Sequence, residues 1–257
     1  MGETRGEGAG MSTYRDAAVV LRKLDYGEAD RIYTLLTREH GKVGAIARGV
    51  RRVASRLAPA LELFSVVDVQ LARGRSLDVV TQVVRLPGPR IDADVERTAH
   101  AGLIAELADR VSEERHPVEG LFELTVLALQ ELAREEEPRR ASAYFIFVAL
   151  DLLGYAPQLR VCASCGRPLP EAAAAFSPAA GGFLCVDCGE PGMRLVSVQA
   201  LKVLRAMATD GIELYRRLRL DADLMGEVEH VLETQLEHHL DRRLKSLRFL
   251  RQMRSYA

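Results

Sequence analysis

The sequence predicts an α+β multidomain protein: an N-terminal β-barrel, then an all-helical domain with a four-cysteine module set inside it. Three observations lead there. Apolar residues come in short strand-like runs up to residue 90, and recur at helical spacing from residue 91 onward. Two Cys-x-x-Cys pairs separated by nineteen residues interrupt the helical part. At 257 residues, 48% apolar and 28% charged, the chain can bury a sizeable core.

Residues 1–12 are rich in Gly and Glu and read as a flexible leader, not a signal peptide. No apolar run approaches the length of a membrane span, so the protein is expected in the cytoplasm with no membrane partner. Residues 13–90 read as β. A short apolar run over 17–21 precedes a polar loop at 25–30. Runs at 31–37 and 42–48 flank Glu39-His40-Gly41 as a hairpin. In the first of these, Ile32, Thr34 and Leu36 face one way and Tyr33, Leu35 and Thr37 the other. A second hairpin joins 64–72 to 77–84 through Arg73-Gly74-Arg75-Ser76, and Pro87-Gly88-Pro89 marks a domain boundary. Five short strands with a break after the third suit a barrel of the OB type; an SH3-like barrel fits the same pattern.

Residues 91–160 and 193–257 form the two parts of the helical domain. Val95, Ala99, Leu103, Leu107 and Val111 keep one stripe. Pro117 opens a second helix, which Glu135-Glu136-Glu137 closes. Pro138 starts a third, apolar nearly all round over 141–153, with Gly154 as its stop. Helices are expected over 198–207, 212–218 and 222–253.

Between them, residues 161–192 carry Cys162, Cys165, Cys185 and Cys188. Each Cys-x-x-Cys turn aims two thiolates at one point, and two such turns make a tetrahedral Zn2+ site. Gly166 and Gly189 follow the pairs, where a turn favours positive φ. A site of four thiolates leaves no open position for substrate, so this zinc is structural. The sequence has no G-x-S-x-G, Walker A or H-E-x-x-H motif, and the protein is read as a non-enzyme without a small-molecule substrate.

Charge is unevenly distributed. Residues 1–90 hold 15 Lys and Arg against 10 Asp and Glu; residues 91–160 hold 7 against 14. Lys42, Arg48, Arg51, Arg52 and Arg56 fall in a stretch without a single acid and are candidate DNA contacts, with Tyr26 and Tyr33 as stacking candidates beside Tyr14 and Phe64. Secondary candidates are Arg216, Arg217 and Arg219, and the late run Arg242, Arg243, Lys245 and Arg248, which continues as Arg251 and Arg254 at three-residue spacing.

Several stretches together resemble the bacterial recombination mediator family RecO. Val20-Leu21-Arg22-Lys23-Leu24-Asp25-Tyr26-Gly27-Glu28-Ala29-Asp30 is similar to the family's first strand and loop. Thr37-Arg38-Glu39-His40-Gly41-Lys42-Val43 and Ala47-Arg48-Gly49-Val50-Arg51-Arg52 are similar to its hairpin and basic stretch. Tyr155-Ala156-Pro157 resembles the approach to its zinc module, and Lys245-Ser246-Leu247-Arg248-Phe249-Leu250 its closing helix. The resemblance implies binding of single- and double-stranded DNA, annealing of complementary strands, and recombinase loading on strands coated by single-strand-binding protein. RecR and the single-strand-binding protein are the implied partners, DNA repair through the RecF-type pathway the implied role, and the nucleoid the implied place. The competing readings are a zinc-ribbon adaptor that binds only protein, a zinc-dependent nucleic-acid enzyme, and a redox Cys-x-x-Cys protein.

Overall fold

The computed structural model describes residues 12–91, 94–134, 136–240 and 243–255. All of the leader expected at 1–12 except Ser12, together with Glu135 and Arg242, lies outside the described residues. The chain forms two compact units: residues 1–90 with 108–118, and residues 91–107 with 119–257. The segment 108–118 was expected in the helical domain and instead belongs with the barrel.

Five strands build the first unit: β1 (Thr13–Tyr26), β2 (Asp30–Thr37), β3 (Gly41–Ala47), β4 (Val66–Ala72) and β5 (Asp78–Arg85). They close in the order β1-β2-β3-β5-β4, with β1 also paired to β4. All pairs are antiparallel except β3 with β5. This is the five-stranded barrel of the OB type. β1 runs well beyond the apolar stretch at 17–21. Its first half pairs with β4 and its second half with β2, so ladder bonds rather than burial hold its polar ends. The interior holds Tyr33, Leu35, Val43, Ala45, Val69 and Leu71. Residues 48–65 contain turns and no helix, yet Val50 and Leu61 lie fully inside the barrel core.

Segment 108–118 is pinned to β3. Arg115 N–H donates to the Lys42 carbonyl at 2.9 Å. Gly41 makes this approach possible: its φ is +67°, and a Cβ there would sit 2.4 Å from the His116 carbonyl oxygen.

The second unit contains α1 (Val95–Val111, of which 95–107 belong here), α2 (Leu121–Arg134), α3 (Pro138–Leu152), α4 (Val198–Arg217), α5 (Ala222–His239) and α6 (Lys245–Arg254). As expected, α3 is the core helix, with Pro138 in its first turn and Phe145 fully buried. α2 begins at Leu121, not at Pro117. The break expected between 207 and 212 is a kink within α4, at Gly211 with φ +65° and ψ −157°. The single helix expected over 222–253 is two helices. Glu106 explains the new start: its carboxylate accepts from Lys245 N–H at 3.1 Å and from Ser246 N–H at 2.8 Å, satisfying donors that a continuous helix would have used internally. Arg140 does the converse at the end of α4, donating to the carbonyls of Tyr215 and Leu218 at 2.5 and 3.1 Å.

Between α3 and α4, β6 (Ala174–Ser177), β7 (Gly182–Leu184) and β8 (Leu195–Val196) form a small antiparallel sheet in the order β7-β6-β8. Phe176 pairs with Phe183 in it.

Candidate metal centre and basic surface

Two turns carry the cysteines. In the first, Gly166 N–H donates to the Cys162 carbonyl at 2.9 Å, and Gly166 has φ +73°. In the second, Cys188 and Gly189 N–H both donate to the Cys185 carbonyl, at 3.0 and 2.9 Å. Gly189 does not take the positive φ expected of it; the turn closes with ordinary backbone angles there.

The four sulfurs lie within 4.8 Å of one another, and Cys165 Sγ is 3.8 Å from Cys185 Sγ. A tetrahedron with ~2.3 Å metal–sulfur bonds has edges of about 3.8 Å, so the spacing fits one metal ion. The electrostatics fit as well. Backbone N–H groups of Cys185 and Cys165 bring the Cys162 thiol down to about 6. Hydrogen bonds from the neighbouring sulfurs of Cys185 and Cys165 push Cys188 up to about 12. A cation among the sulfurs would let all four be thiolates together.

The structure divides the candidate DNA contacts. Arg48, Arg52 and Arg56 are exposed and make no ion pair among the described residues. Arg51 is partly committed: Nη1 donates to the Gly27 carbonyl at 3.1 Å, and Nε lies 3.5 Å from Asp25. Lys42 is fully engaged, its Nζ 2.7 Å from the Asp109 carbonyl and 3.2 Å from the Asp109 carboxylate. It holds segment 108–118 to the barrel and is not free for a phosphate. Tyr26 is 55% exposed at the end of β1. Tyr33 is 0% exposed, part of the barrel interior, and cannot stack on a base. Tyr14 is half-buried and committed too, since its hydroxyl donates to Asp78 at 2.5 Å. Phe64 is buried.

The late cations divide likewise. Arg216 binds Glu131 through Nε at 2.6 Å and through Nη2, and its Nη1 reaches Glu213 at 2.6 Å. Glu131 is buried, so this is an internal ion pair of the helical unit and not a DNA contact. Arg251 and Arg254 face Glu229, Glu233 and Glu237 of α5 at 2.7–3.1 Å, so the expected stripe is neutralised at its C-terminal end. Arg217, Arg219, Arg243, Lys245 and Arg248 remain exposed.

Two further cations lie on the surface, and one of them, Arg73, covers the Tyr14 ring at 5.1 Å from its centroid. Arg73 and Arg75 sit exposed in the β4–β5 turn, which the sequence reading treated only as a turn. The barrel sets this turn apart from the basic stretch. Ala45 and Ile46 of β3 pair with Asp78 and Val79 at the start of β5. Because β3 and β5 run parallel, 73–77 enters β5 on the side where β3 begins, and Arg73 N–H donates there to the Ser12 carbonyl at 2.9 Å, whereas Arg48 leaves β3 at the opposite end. The β1–β2 loop lies there as well, since Arg51 N–H donates to the Ala29 carbonyl at 2.9 Å. The β1–β2 loop and the basic stretch after β3 share one end of the barrel, and the β4–β5 turn lies at the other, beside the start of β1.

A family model described as Recombination protein O N terminal matches residues 11–86, and one described as Recombination protein O C terminal matches residues 92–248. The chain is 39% identical over 246 residues to the DNA repair protein RecO of Bifidobacterium adolescentis, covering 93% of this chain and 100% of that protein. It is 40% identical over 245 residues to the DNA repair protein RecO of Roseiflexus sp., covering 94% of this chain and 86% of that protein.

Proposed function

The chain belongs to the RecO family, and from that premise we propose that it is a recombination mediator that binds DNA through the basic end of its barrel and anneals complementary strands. Membership supports a role in DNA repair. The observation that carries the finer reading is the basic stretch after β3, whose Arg48, Arg52 and Arg56 are exposed and make no ion pair among the described residues, beside the β1–β2 loop with Tyr26 exposed on β1.

Cations there neutralise phosphates on each strand and lower the repulsion between two of them. Released counterions supply affinity, and base pairing between the strands, not the protein, reads sequence. Such a surface binds single and double strands without sequence preference, and it needs no catalytic group. The nucleoid is where such a surface works. Loading of recombinase on strands covered by single-strand-binding protein follows from the family, with RecR and that protein as partners. The four cysteines would hold Zn2+, which on binding supplies folding energy to residues 161–192 and no chemistry. Among the described residues no helix is long and apolar enough to cross a membrane.

The test is annealing of two complementary oligonucleotides followed by energy transfer between end labels. The reading expects the protein to accelerate duplex formation for unrelated sequences alike. No acceleration, or acceleration for one sequence only, contradicts it. Protein that binds RecR but no DNA would promote the adaptor reading.

A further inference from the structure

Arg167 stands between the two cysteine turns. Its Nε is 3.4 Å from Cys165 Sγ, in the first turn, and its Nη2 is 3.7 Å from Cys185 Sγ, in the second. The same Nη2 lies 2.7 Å from Asp187 Oδ2, between the second pair of cysteines. We propose that Arg167 is an outer-sphere clasp of the metal centre, which sets how long the metal is held, and that Asp187 positions it. This rests on the reading of the four-cysteine cluster as a zinc site.

Charge explains why such a group belongs there. One Zn2+ and four thiolates carry a net charge of −2, on a module with little core of its own. The backbone already contributes one donor, Cys185 N–H to Cys162 Sγ at 3.3 Å. Arg167 adds donors to a second and a third sulfur together with a full positive charge. Charge-assisted N–H···S bonds draw electron density from the sulfurs, which become poorer targets for protons, for electrophiles and for a competing chelator. Release begins when one sulfur lets go. A group bonded to one sulfur of each turn keeps the detached ligand close to the metal and favours its return.

The planar guanidinium suits the task, since its fork reaches three acceptors at once, where an ammonium offers a point charge. The Arg167–Asp187 pair is well exposed on both sides. As an isolated surface ion pair it would be worth little. Its place between two sulfurs gives it a use, and Asp187 fixes the guanidinium in the plane that reaches both.

The experiment uses the full chain loaded with zinc, and reads metal content, the rate of transfer to a chromogenic chelator, and the sulfur-to-metal charge-transfer band after cobalt substitution. Arg167→Ala is expected to retain one metal per chain but to release it about 10- to 100-fold faster. Its cobalt band is expected at lower energy, because sulfurs without the donor hold their electrons less tightly. Arg167→Lys should fall between wild type and alanine, and Asp187→Asn should accelerate release less than Arg167→Ala. Should the alanine variant not retain metal, Arg167→Gln and Asp187→Asn supply the rates. Wild-type release rates and unshifted bands in the variants would overturn the proposal. A wild-type chain that binds no metal would overturn the zinc reading itself, a different and distinguishable failure.

Discussion

Arg115 Nη2 donates to Asp78 Oδ1 at 2.7 Å, and the Asp78 side chain is 0% exposed. The same carboxylate accepts from the Tyr14 hydroxyl at 2.5 Å and from Gly74 N–H at 3.0 Å. One buried charge thus ties together the start of β1, the β4–β5 turn and the segment 108–118. Burial opposes the charge, but the hydrogen bonds from Tyr14, Gly74 and Arg115 outweigh it and hold the carboxyl below the usual carboxylate range. Burial and Asp78 together push Tyr14 up to about 12.

Arg115→Ala therefore leaves a buried carboxylate without its cation. The expected loss is about 2–4 kcal/mol of barrel stability by urea unfolding, somewhat reduced because Arg115 is itself partly exposed. The lowered Asp78 pKa also fixes the sign of an acid effect. Its stabilisation is complete above the ordinary carboxylate pKa of about 4 and is lost as pH falls below it. Unchanged stability of Arg115→Ala would show that the pair contributes nothing.

His100 gives the helical unit a second acid-sensitive element. It is buried, with Nδ1 at 2.8 Å from Ser142 Oγ. Burial, with Arg254 and Arg139 nearby, brings its pKa down to about 3. The unfolded imidazole takes its proton near 6.5, so stability falls as pH drops through that value, by about 2 kcal/mol between pH 7 and pH 5. His100→Gln is expected to flatten the stability profile over that window. An identical slope in the variant would remove His100 as its cause.

Arg216 separates structural cations from binding ones. Arg216→Ala exposes no new surface to DNA but leaves the buried Glu131 carboxylate unpaired. A loss of about 3 kcal/mol in the helical unit is expected, with DNA affinity unchanged in the folded protein. Weakened DNA binding at full stability would restore Arg216 to the interface.

The two tyrosines make an opposed pair. Tyr26→Ala should weaken single-strand binding by about 1–3 kcal/mol if a base stacks there, with little change in stability. Tyr33→Ala should cost about 3–5 kcal/mol of stability through the cavity it leaves. Tyr33→Phe keeps the packing and should leave DNA affinity as it is.

These contrasts show what the sequence made legible. Local patterns were readable: the hairpin at Glu39-His40-Gly41 and the four cysteines both rest on neighbours in the chain or on fixed spacing. Partners distant in the chain were not. Lys42 meets Asp109, 67 residues away, and Arg216 meets Glu131, 85 residues away. Both looked like free cations because the acids that bury their charge, Asp109 and Glu131, are remote in the sequence. Tyr33 shows the limit of alternation: period two assigns it to the face of Leu35 but does not say which face of a closing barrel becomes the interior. The new start at α6 was illegible for a similar reason, since its cap, Glu106, comes from α1. Arg73 and Arg75 were visible as residues, but only the β1–β4 and β3–β5 pairings place their turn beside the start of β1, away from where Arg48 leaves the barrel.

The central claim is that DNA binds the barrel end formed by Arg48, Arg52 and Arg56. The most direct measurement is fluorescence anisotropy of a labelled mixed-sequence single strand, titrated at several salt concentrations with wild type and with those three arginines changed to Glu. The account predicts a log–log salt slope of about −2 for wild type, and binding lost in a variant whose circular dichroism and unfolding midpoint match wild type. Equal binding by the folded variant would contradict it and move the contact to Arg217, Arg219, Arg243, Lys245 and Arg248.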